Sequence, residues 1–226
     1  MTLLKIPALV MKSTDEVELF EHNEELVDVT EYSGGLILSD MQYIKLGYKD
    51  AIDRPLVRRG VADRLIKAAK LLPSGFSLKI YDGWRPYLVQ KEIYDRYFER
   101  VAFENKGLSE KEIHTLTSKF VSMPKREGKL SYVHSSGGAV DLTVVDASGR
   151  ELDMGSYFDD FSSRAATDAL ESLGDCAAKR NRRLLYTVMT EAGFTNYPYE
   201  WWHYDYGDLF YGAMKDTPAI YSSIYE

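Results

Sequence analysis

The chain has 226 residues, of which 45% are hydrophobic and 28% charged, values that are ordinary for a folded globular protein. This length can bury a sizeable core without disulfides, and the single cysteine, Cys176, excludes an internal one. The formal net charge of -7 argues against nucleic acid or an anionic membrane as a partner, because both reward clustered lysine and arginine.

Residues 1–38 are predicted to form an acidic N-terminal extension packed on one domain of residues 39–226, with short strands at 17–20 and 35–38. The first ten residues lack the long apolar run and small-residue cleavage site of a signal peptide. No run approaches the roughly 20 apolar residues of a membrane span. The expected location is therefore the cytoplasm, although a leader removed earlier would leave no trace in this numbering.

A helix followed by a strand is predicted at 53–81. Residues 53–55 read Asp-Arg-Pro, with the aspartate as a cap and proline in the first turn, and apolar residues recur at helical spacing to Leu72. Residues 76–81 alternate as in a strand, which places Arg85 where the strand becomes a loop. A guanidinium held there suits the stabilisation of developing negative charge, whereas an arginine beside Asp82 also suits a structural ion pair.

More helices are predicted at 88–104, at 109–120 with Ser109 and Glu112 as a capping box, and at 184–192 with Gly193 ending the helix. A loop is predicted at 123–130. The basic cluster at 179–183 is interpreted as the solvated face of a helix.

A strand is predicted at 139–145, where residues alternate with a period of two. Asp141 therefore points away from the apolar face formed by Val140, Leu142 and Val144. Just upstream, Gly137 and Gly138 permit backbone angles closed to other residues, so the chain can fold His134 back over the strand that carries Asp141.

The aromatic segment 194–204 carries Glu200 and His203. An ideal strand would place these two side chains on opposite faces, so both can serve one site only if the segment contains a bulge or a turn. The other two histidines, His22 and His114, are interpreted as surface or core residues.

Two histidines and one carboxylate, His134, Asp141 and His203, are sufficient for a catalytic zinc ion that keeps its fourth position open to water. Glu200 lies three residues before His203, where a general base beside an activated water would be useful. The pattern predicts a zinc peptidase.

The spacing of His134 and Asp141, followed by Glu200 and His203, resembles the zinc D-alanyl-D-alanine peptidases, which also include carboxypeptidases and endolysins. The segments that resemble its D-alanyl-D-alanine dipeptidase branch, including those of vancomycin resistance, are 81–86, 154–159 and 200–204. The similarity runs from about residue 40 to residue 206.

This resemblance implies one Zn2+ ion per chain and hydrolysis of D-alanyl-D-alanine or a close dipeptide. It also implies that Arg85 supports the oxyanion, that Asp159 holds the substrate's ammonium and that Tyr43 lies near the substrate. The dipeptidases usually carry a serine two residues before the first metal histidine. Here Tyr132 takes that place, and it is predicted to alter a contact with one end of the substrate.

The order of elements predicts an α+β domain with a mainly antiparallel sheet flanked by helices. Three rival functions stay open: a carboxypeptidase or cell-wall endopeptidase of the same family, a non-haem iron oxygenase, and a binding module with a structural zinc. The last would need a fourth protein ligand, for which Cys176 and His114 are candidates. A small dipeptide is the expected partner, and the oligomeric state is not predicted.

Overall fold

The computed structural model describes residues 2–118, 120–127 and 132–225. Its strands are β1 (Leu26–Asp28), β2 (Leu38–Ser39), β3 (Leu56–Arg58), β4 (Ser77–Asp82), β5 (Ala139–Val145), β6 (Thr195–Asn196) and β7 (His203–Asp205). Its α-helices are α1 (Val29–Tyr32), α2 (Gln42–Lys45), α3 (Arg59–Leu71), α4 (Tyr87–Glu104), α5 (Glu110–Thr117), α6 (Ala177–Ala192) and α7 (Leu209–Lys215). Short 3-10 helices lie at Val133–Ser136 and Ser163–Ala165.

A five-stranded sheet with the order β2-β4-β5-β7-β6 forms the centre of the molecule. The β2–β4 pair is parallel, and the other three pairs are antiparallel. A separate antiparallel pair joins β1 to β3. The predicted α+β class with a mainly antiparallel sheet is therefore confirmed.

The main core lies between one face of this sheet and the helices α3 and α6. Val140, Leu142 and Val144 of β5 are fully buried there, together with Leu65 and Leu185 of the two helices. Burying each of these side chains contributes roughly 1.5–3 kcal/mol. A second apolar cluster consists mainly of residues from α4 and α5. Two of its members, Ile93 of α4 and Val121 after α5, line a cavity that Asp141 also lines.

The segment 53–58 differs from its prediction. Residues 56–58 form β3 and pair with residues 26–28, so α3 begins only at Arg59 and its cap is Arg58, not Asp53. Pairing with a distant strand overrides the local proline signal, which a sequence window cannot register. The strand β1 was not predicted.

The other local predictions concern two helix ends, two short strands near the N-terminus and one loop. The capping box at Ser109 and the end of α6 at Gly193, with φ 103°, are confirmed. At 17–20 the chain makes only an isolated bridge between Leu19 and Ala219, and the strand predicted at 35–38 is confined to Leu38–Ser39. The predicted loop 123–130 is described only as far as Glu127, since residues 128–131 lie outside the described residues.

The prediction that the basic cluster at 179–183 forms a solvated helix face is wrong for one of its residues. Arg182 is 2% exposed, and its guanidinium bonds to backbone carbonyl groups of residues 154–166. A helix turns one residue in every three or four towards the core, and here that residue is an arginine that satisfies buried carbonyls.

Residues 1–38 contact the rest of the chain at several places. Strand β1 pairs with β3, Ile6 is 3% exposed, and the amide of Leu4 donates to Thr187 Oγ1 at 2.9 Å. The domain boundary at residue 38 stays a prediction. In the described part of the chain, every helix falls short of the length and apolar character needed to cross a bilayer.

Candidate metal centre

His134 is positioned by a tight turn at the start of β5. It lies in the 3-10 helix Val133–Ser136, which ends at Gly137 with φ 71°, a backbone conformation that L side chains rarely adopt. Gly138 is needed for a different reason, because a Cβ there would lie 2.7 Å from the carbonyl oxygen of Tyr206. The two glycines thus bring His134 over the strand, as predicted.

Asp141 and His203 are direct cross-strand partners in the antiparallel pair β5–β7. Glu200 precedes β7 in a turn, in which its amide donates to the carbonyl of Tyr197 at 3.1 Å. The amide of His203 donates in turn to the carbonyl of Glu200 at 3.3 Å. This turn lets Glu200 and His203 face the same cavity, which confirms the condition that the sequence imposed.

The possible ligand atoms of His134, Asp141 and His203 all lie within 4.8 Å of one another. His134 Nε2 is 3.2 Å from His203 Nδ1, and the Asp141 oxygens are 3.3 Å from the first nitrogen and 2.9 Å from the second. Ligand atoms of a tetrahedral zinc ion with bonds of about 2.0–2.1 Å lie about 3.3 Å apart. The spacing of the triad therefore fits zinc.

In each histidine ring, the outer nitrogen, which faces away from the triad, has a hydrogen-bond acceptor that fixes the tautomer. His134 Nδ1 donates to the carbonyl of Gly83 at 2.8 Å, and His203 Nε2 donates to Asp205 Oδ1 at 2.8 Å. Each ring then directs the lone pair of its other nitrogen at the centre of the triad. Two lone pairs and a carboxylate so close together repel one another unless a cation lies between them.

The close packing of the triad shifts the pKa values of Asp141 and His203. Burial alone would raise the pKa of Asp141, but the charges and hydrogen bonds of His134 and His203 outweigh it and hold that pKa below its usual range. Burial disfavours a charged His203, yet Asp205 and Asp141 raise its pKa well above the ordinary value. The site thus favours positive charge at its centre.

Glu200 is the carboxylate next to the triad. Its Oε2 lies 3.8 Å from His203 Nδ1, and the side chain is 25% exposed. Burial raises the pKa of Glu200 to about 8, with the charge of His203 opposing the rise and that of Asp141 adding to it. A carboxylate of this basicity is well suited to accept a proton from water.

Arg85 is placed so that it can serve in both roles considered from the sequence, a structural ion pair and the stabilisation of negative charge. Its Nε donates to Asp82 Oδ2 at 2.7 Å and its Nη1 to Gln90 Oε1 at 2.6 Å, so it is ion-paired within the structure. Its Nη2 nevertheless lies 3.5 Å from Asp141 Oδ2, inside the cavity. The guanidinium is therefore held rigidly beside the metal triad.

Asp159 faces Tyr43 on the other side of the cavity. It has φ 55°, and the Tyr43 hydroxyl donates to its Oδ2 at 3.2 Å. Burial raises the pKa of Asp159 to about 7, while Arg85 opposes this rise and Asp141 adds to it. A partly buried carboxylate with so few charge partners gains from a cationic ligand.

The Tyr132 hydroxyl donates to the backbone carbonyl of Arg85 at 2.7 Å, and the residue is 4% exposed. Its phenol thus braces the loop that carries Arg85 as well as lining the cavity.

All eight predicted site residues line one cavity of about 80 Å3: Tyr43, Arg85, Tyr132, His134, Asp141, Asp159, Glu200 and His203. Among the described residues, the metal group contains neither Cys176 nor His114, and His114 Nδ1 is instead bonded to the Tyr94 hydroxyl at 2.8 Å. Asp205 was not among the predicted site residues, although it lies two residues after His203 on the same strand and so on the same strand face.

The chain is similar to known proteins along most of its length. The family profile for peptidase M15, described as D-Ala-D-Ala dipeptidase, matches residues 44–218. A D-alanyl-D-alanine dipeptidase of Synechocystis is 30% identical, with 68% of this chain and 70% of that protein aligned. The D-alanyl-D-alanine dipeptidase of Enterococcus faecium is 31% identical, with 70% of this chain and 72% of that protein aligned.

A crystal structure of a mutant of the vancomycin-resistance D,D-pentapeptidase VanY in complex with Zn(II) is also similar. The alignment covers 80% of this chain and 91% of the VanY chain, at 20% identity and a TM-score of 0.44.

Proposed function

Because this chain belongs to the D-Ala-D-Ala dipeptidase family of metallopeptidases, we propose that it hydrolyses D-alanyl-D-alanine or a closely related dipeptide with one zinc ion per chain. The observation that carries the proposal is the convergence of His134, Asp141 and His203 at tetrahedral spacing with Glu200 beside them. Three ligands leave one position for water, as catalytic zinc sites do and structural sites do not.

His134 Nε2, His203 Nδ1 and one oxygen of Asp141 would hold the metal. Zinc bound there supplies a Lewis acid for the scissile carbonyl and lowers the pKa of water towards about 7. Glu200 takes the proton of the attacking water on its carboxylate as the new C–O bond forms. Glu200 then passes that proton to the leaving nitrogen as the C–N bond breaks, so the carboxylate is regenerated.

Arg85 is proposed to stabilise the negative charge that develops on the carbonyl oxygen. Its bonds to Asp82 and Gln90 hold the guanidinium in place before the substrate arrives, so no reorganisation is needed during the reaction. Removal of one such donor typically costs about 100- to 1000-fold in turnover.

Asp159 is proposed to bind the ammonium group of a free dipeptide, with Tyr43 orienting its carboxylate. A longer peptide presents a neutral amide at the same place and leaves the carboxylate unpaired, which is costly in a cavity of this kind. The geometry thus supports a dipeptidase over a carboxypeptidase or endopeptidase. Tyr132 is proposed to shape the contact with one end of the substrate.

The test is hydrolysis of D-Ala-D-Ala beside a tripeptide that ends in D-Ala-D-Ala, with and without added zinc. We expect kcat/KM to be at least about tenfold higher for the dipeptide and Asp159→Ala to narrow that gap chiefly by harming the dipeptide. Equal rates on the two substrates would favour the carboxypeptidase. Full activity in metal-free protein would refute the metal mechanism.

A further inference from the structure

A buried carboxyl group, Asp208, lies behind the metal centre and takes no part in the reaction proposed above. Its relative exposure is 0%, and its Oδ1 caps α7 by accepting a hydrogen bond from the amide of Tyr211 at 2.9 Å. Its other oxygen, Oδ2, receives no hydrogen bond from any donor in the described part of the chain. A buried oxygen of this kind calls for an explanation.

The neighbour of Asp208 is Asp205, whose carboxyl group lies close enough for a hydrogen bond if one of the two groups carries a proton. Asp205 Oδ1 already accepts the Nε2 proton of His203 at 2.8 Å. A hydrogen bond between two carboxyl groups requires a proton on one of them, and two adjacent buried carboxylates cannot both stay ionised. The path from the metal site therefore runs through His203 and Asp205 to Asp208.

Asp208 is the member of the pair that carries the proton. Asp205 faces the imidazole of His203, whereas Asp208 has one backbone donor and no ion pair among the described residues. Burial and the nearby charge of Asp205 raise the pKa of Asp208 well above its usual range, which agrees with this assignment. As a neutral acid, Asp208 can donate through the oxygen that otherwise has no partner.

Asp208 also packs directly against the segment that joins the first two proposed ligands. A Cβ at Gly138 would lie 3.0 Å from Asp208 Cβ and 3.1 Å from its Oδ2. Because this close contact and the helix cap hold the side chain on two sides, Asp208 is a fixed support for Asp205.

We propose that Asp208 is a positioning residue of the metal centre, a neutral carboxylic acid that donates a hydrogen bond to Asp205 and thereby holds Asp205 against His203. This inference rests on the metal site of the proposed function. Outer partners of metal-bound histidines typically contribute 10- to 100-fold in metal affinity. We expect an effect of that size from Asp208, although it does not touch the metal or the substrate.

Two substitutions separate the hydrogen bond from the charge and from the helix cap. Asp208→Asn keeps the shape, the capping oxygen and a donor towards Asp205, but it can carry no negative charge. Asp208→Ser is also a good cap for α7 but is too short to support Asp205. Zinc affinity, measured by competition with a chromophoric chelator, should stay within about threefold in the asparagine variant and fall about 10- to 100-fold in the serine variant.

A double-substitution cycle tests whether Asp208 acts through Asp205. In an Asp205→Ala background, Asp208→Ser should weaken zinc affinity no further, because the group that it positions is absent. Thermal unfolding of the metal-free proteins provides a second measurement, which reports any purely structural effect separately from zinc affinity.

Three results would overturn the proposal: unchanged zinc affinity in Asp208→Ser, a loss in Asp208→Asn as large as that in Asp208→Ser, or additive losses in the cycle. If Asp208→Ser does not fold, Asp208→Asn alone decides, since retained affinity supports the neutral acid and a tenfold loss contradicts it. Failure to hydrolyse D-Ala-D-Ala would refute the proposed function but would leave these zinc affinities measurable.

Discussion

Two carboxylates flank His203, one at each ring nitrogen. Asp141 Oδ1 lies 2.9 Å from Nδ1, and Asp205 Oδ1 lies 2.8 Å from Nε2. An imidazole can bind a metal only through a nitrogen that carries no proton, so the carboxylate at the outer nitrogen selects the tautomer for the inner one. At the scale of single residues, the orientation of the ligands thus depends on groups that would not touch the metal.

The first prediction separates chemistry from binding. Glu200→Gln keeps nearly the same shape but cannot accept the proton of water, so turnover should fall by about 100- to 10,000-fold while zinc stays bound. Steady-state kinetics and metal analysis of the same preparation measure the two effects. Loss of zinc together with activity would make Glu200 a ligand, contrary to the assignment.

A second prediction concerns Asp159 and pH in the zinc-free protein. The pKa of this carboxyl group is raised by burial to about 7, against about 3.9 for an unfolded aspartate. Between these values the native state retains a proton that the unfolded state has lost, so this group lowers the free energy of unfolding as pH rises from about 4 to 7. Asp159→Asn removes that loss.

The urea midpoint of Asp159→Asn should therefore exceed that of the unsubstituted protein at pH 8 and approach it at pH 4.5. Other titrating groups are common to both proteins, so they cancel in the difference. A difference that is the same at both pH values would contradict the raised pKa.

At the scale of elements, the loop of residues 154–161 that carries Asp159 is fastened to helix α6 by Arg182. The guanidinium donates to the carbonyl oxygens of Met154 at 2.6 Å, Ala166 at 2.6 Å and Arg164 at 2.7 Å. Burial lowers the pKa of Arg182 to about 10, and the side chain remains a cation that satisfies three carbonyls. The loop that carries Asp159 is therefore fixed to α6 at its first residue, Met154, and just beyond its end, at Arg164 and Ala166.

The third prediction follows from these hydrogen bonds. Arg182→Met leaves three carbonyl groups without their donor and should cost about 3 kcal/mol in the free energy of unfolding. It should also lower kcat/KM for the dipeptide, because the loop no longer holds Asp159 in place. Urea titration and steady-state kinetics measure these two effects.

Arg183 offers a matched control on the same helix. Its side chain is 26% exposed and pairs with Glu171, an interaction that is typically worth about 0–1 kcal/mol at a protein surface. If Arg183→Met is as destabilising as Arg182→Met, the carbonyl bonds of Arg182 are not the cause.

At the scale of the whole molecule, both ends of the chain meet at the turn that carries His134. Arg58 of β3 donates to the carbonyls of Ser136 at 2.8 Å, Glu24 at 2.6 Å and Ser222 at 3.1 Å. Near the C-terminus, the amide of Ile224 donates to the carbonyl of Ser135 at 2.8 Å. The position of His134, a proposed metal ligand, thus depends on contacts with segments far away in the sequence.

The fourth prediction links metal binding to global stability. The proposed zinc ion would bind only the folded triad, whose three residues are far apart in the unfolded chain, so saturating zinc should raise Tm by an amount that grows with zinc concentration. At 100 times Kd the gain is about 2.7 kcal/mol. Differential scanning calorimetry should show this rise in the unsubstituted protein and not in His203→Ala. A rise that persists in His203→Ala would place the metal elsewhere.

The sequence by itself determined several local elements and was sufficient to predict a chemistry for the site. Alternation at 139–145, the capping box at Ser109 and the glycine after α6 specify structure over a few residues, and all three are confirmed. The residue types of the triad and its neighbouring glutamate were sufficient to predict a zinc peptidase. The three structural signals each lie within one short window, so no long-range contact is needed to read them.

Only the tertiary structure decided how these residues meet. Asp141 and His203 become partners through strand pairing across 62 residues, a contact that no short stretch of sequence encodes. The tertiary structure also made residues 56–58 a strand and buried Arg182. The physical reason is that pairing and burial depend on surfaces from distant segments, whose contact energies local propensity does not contain.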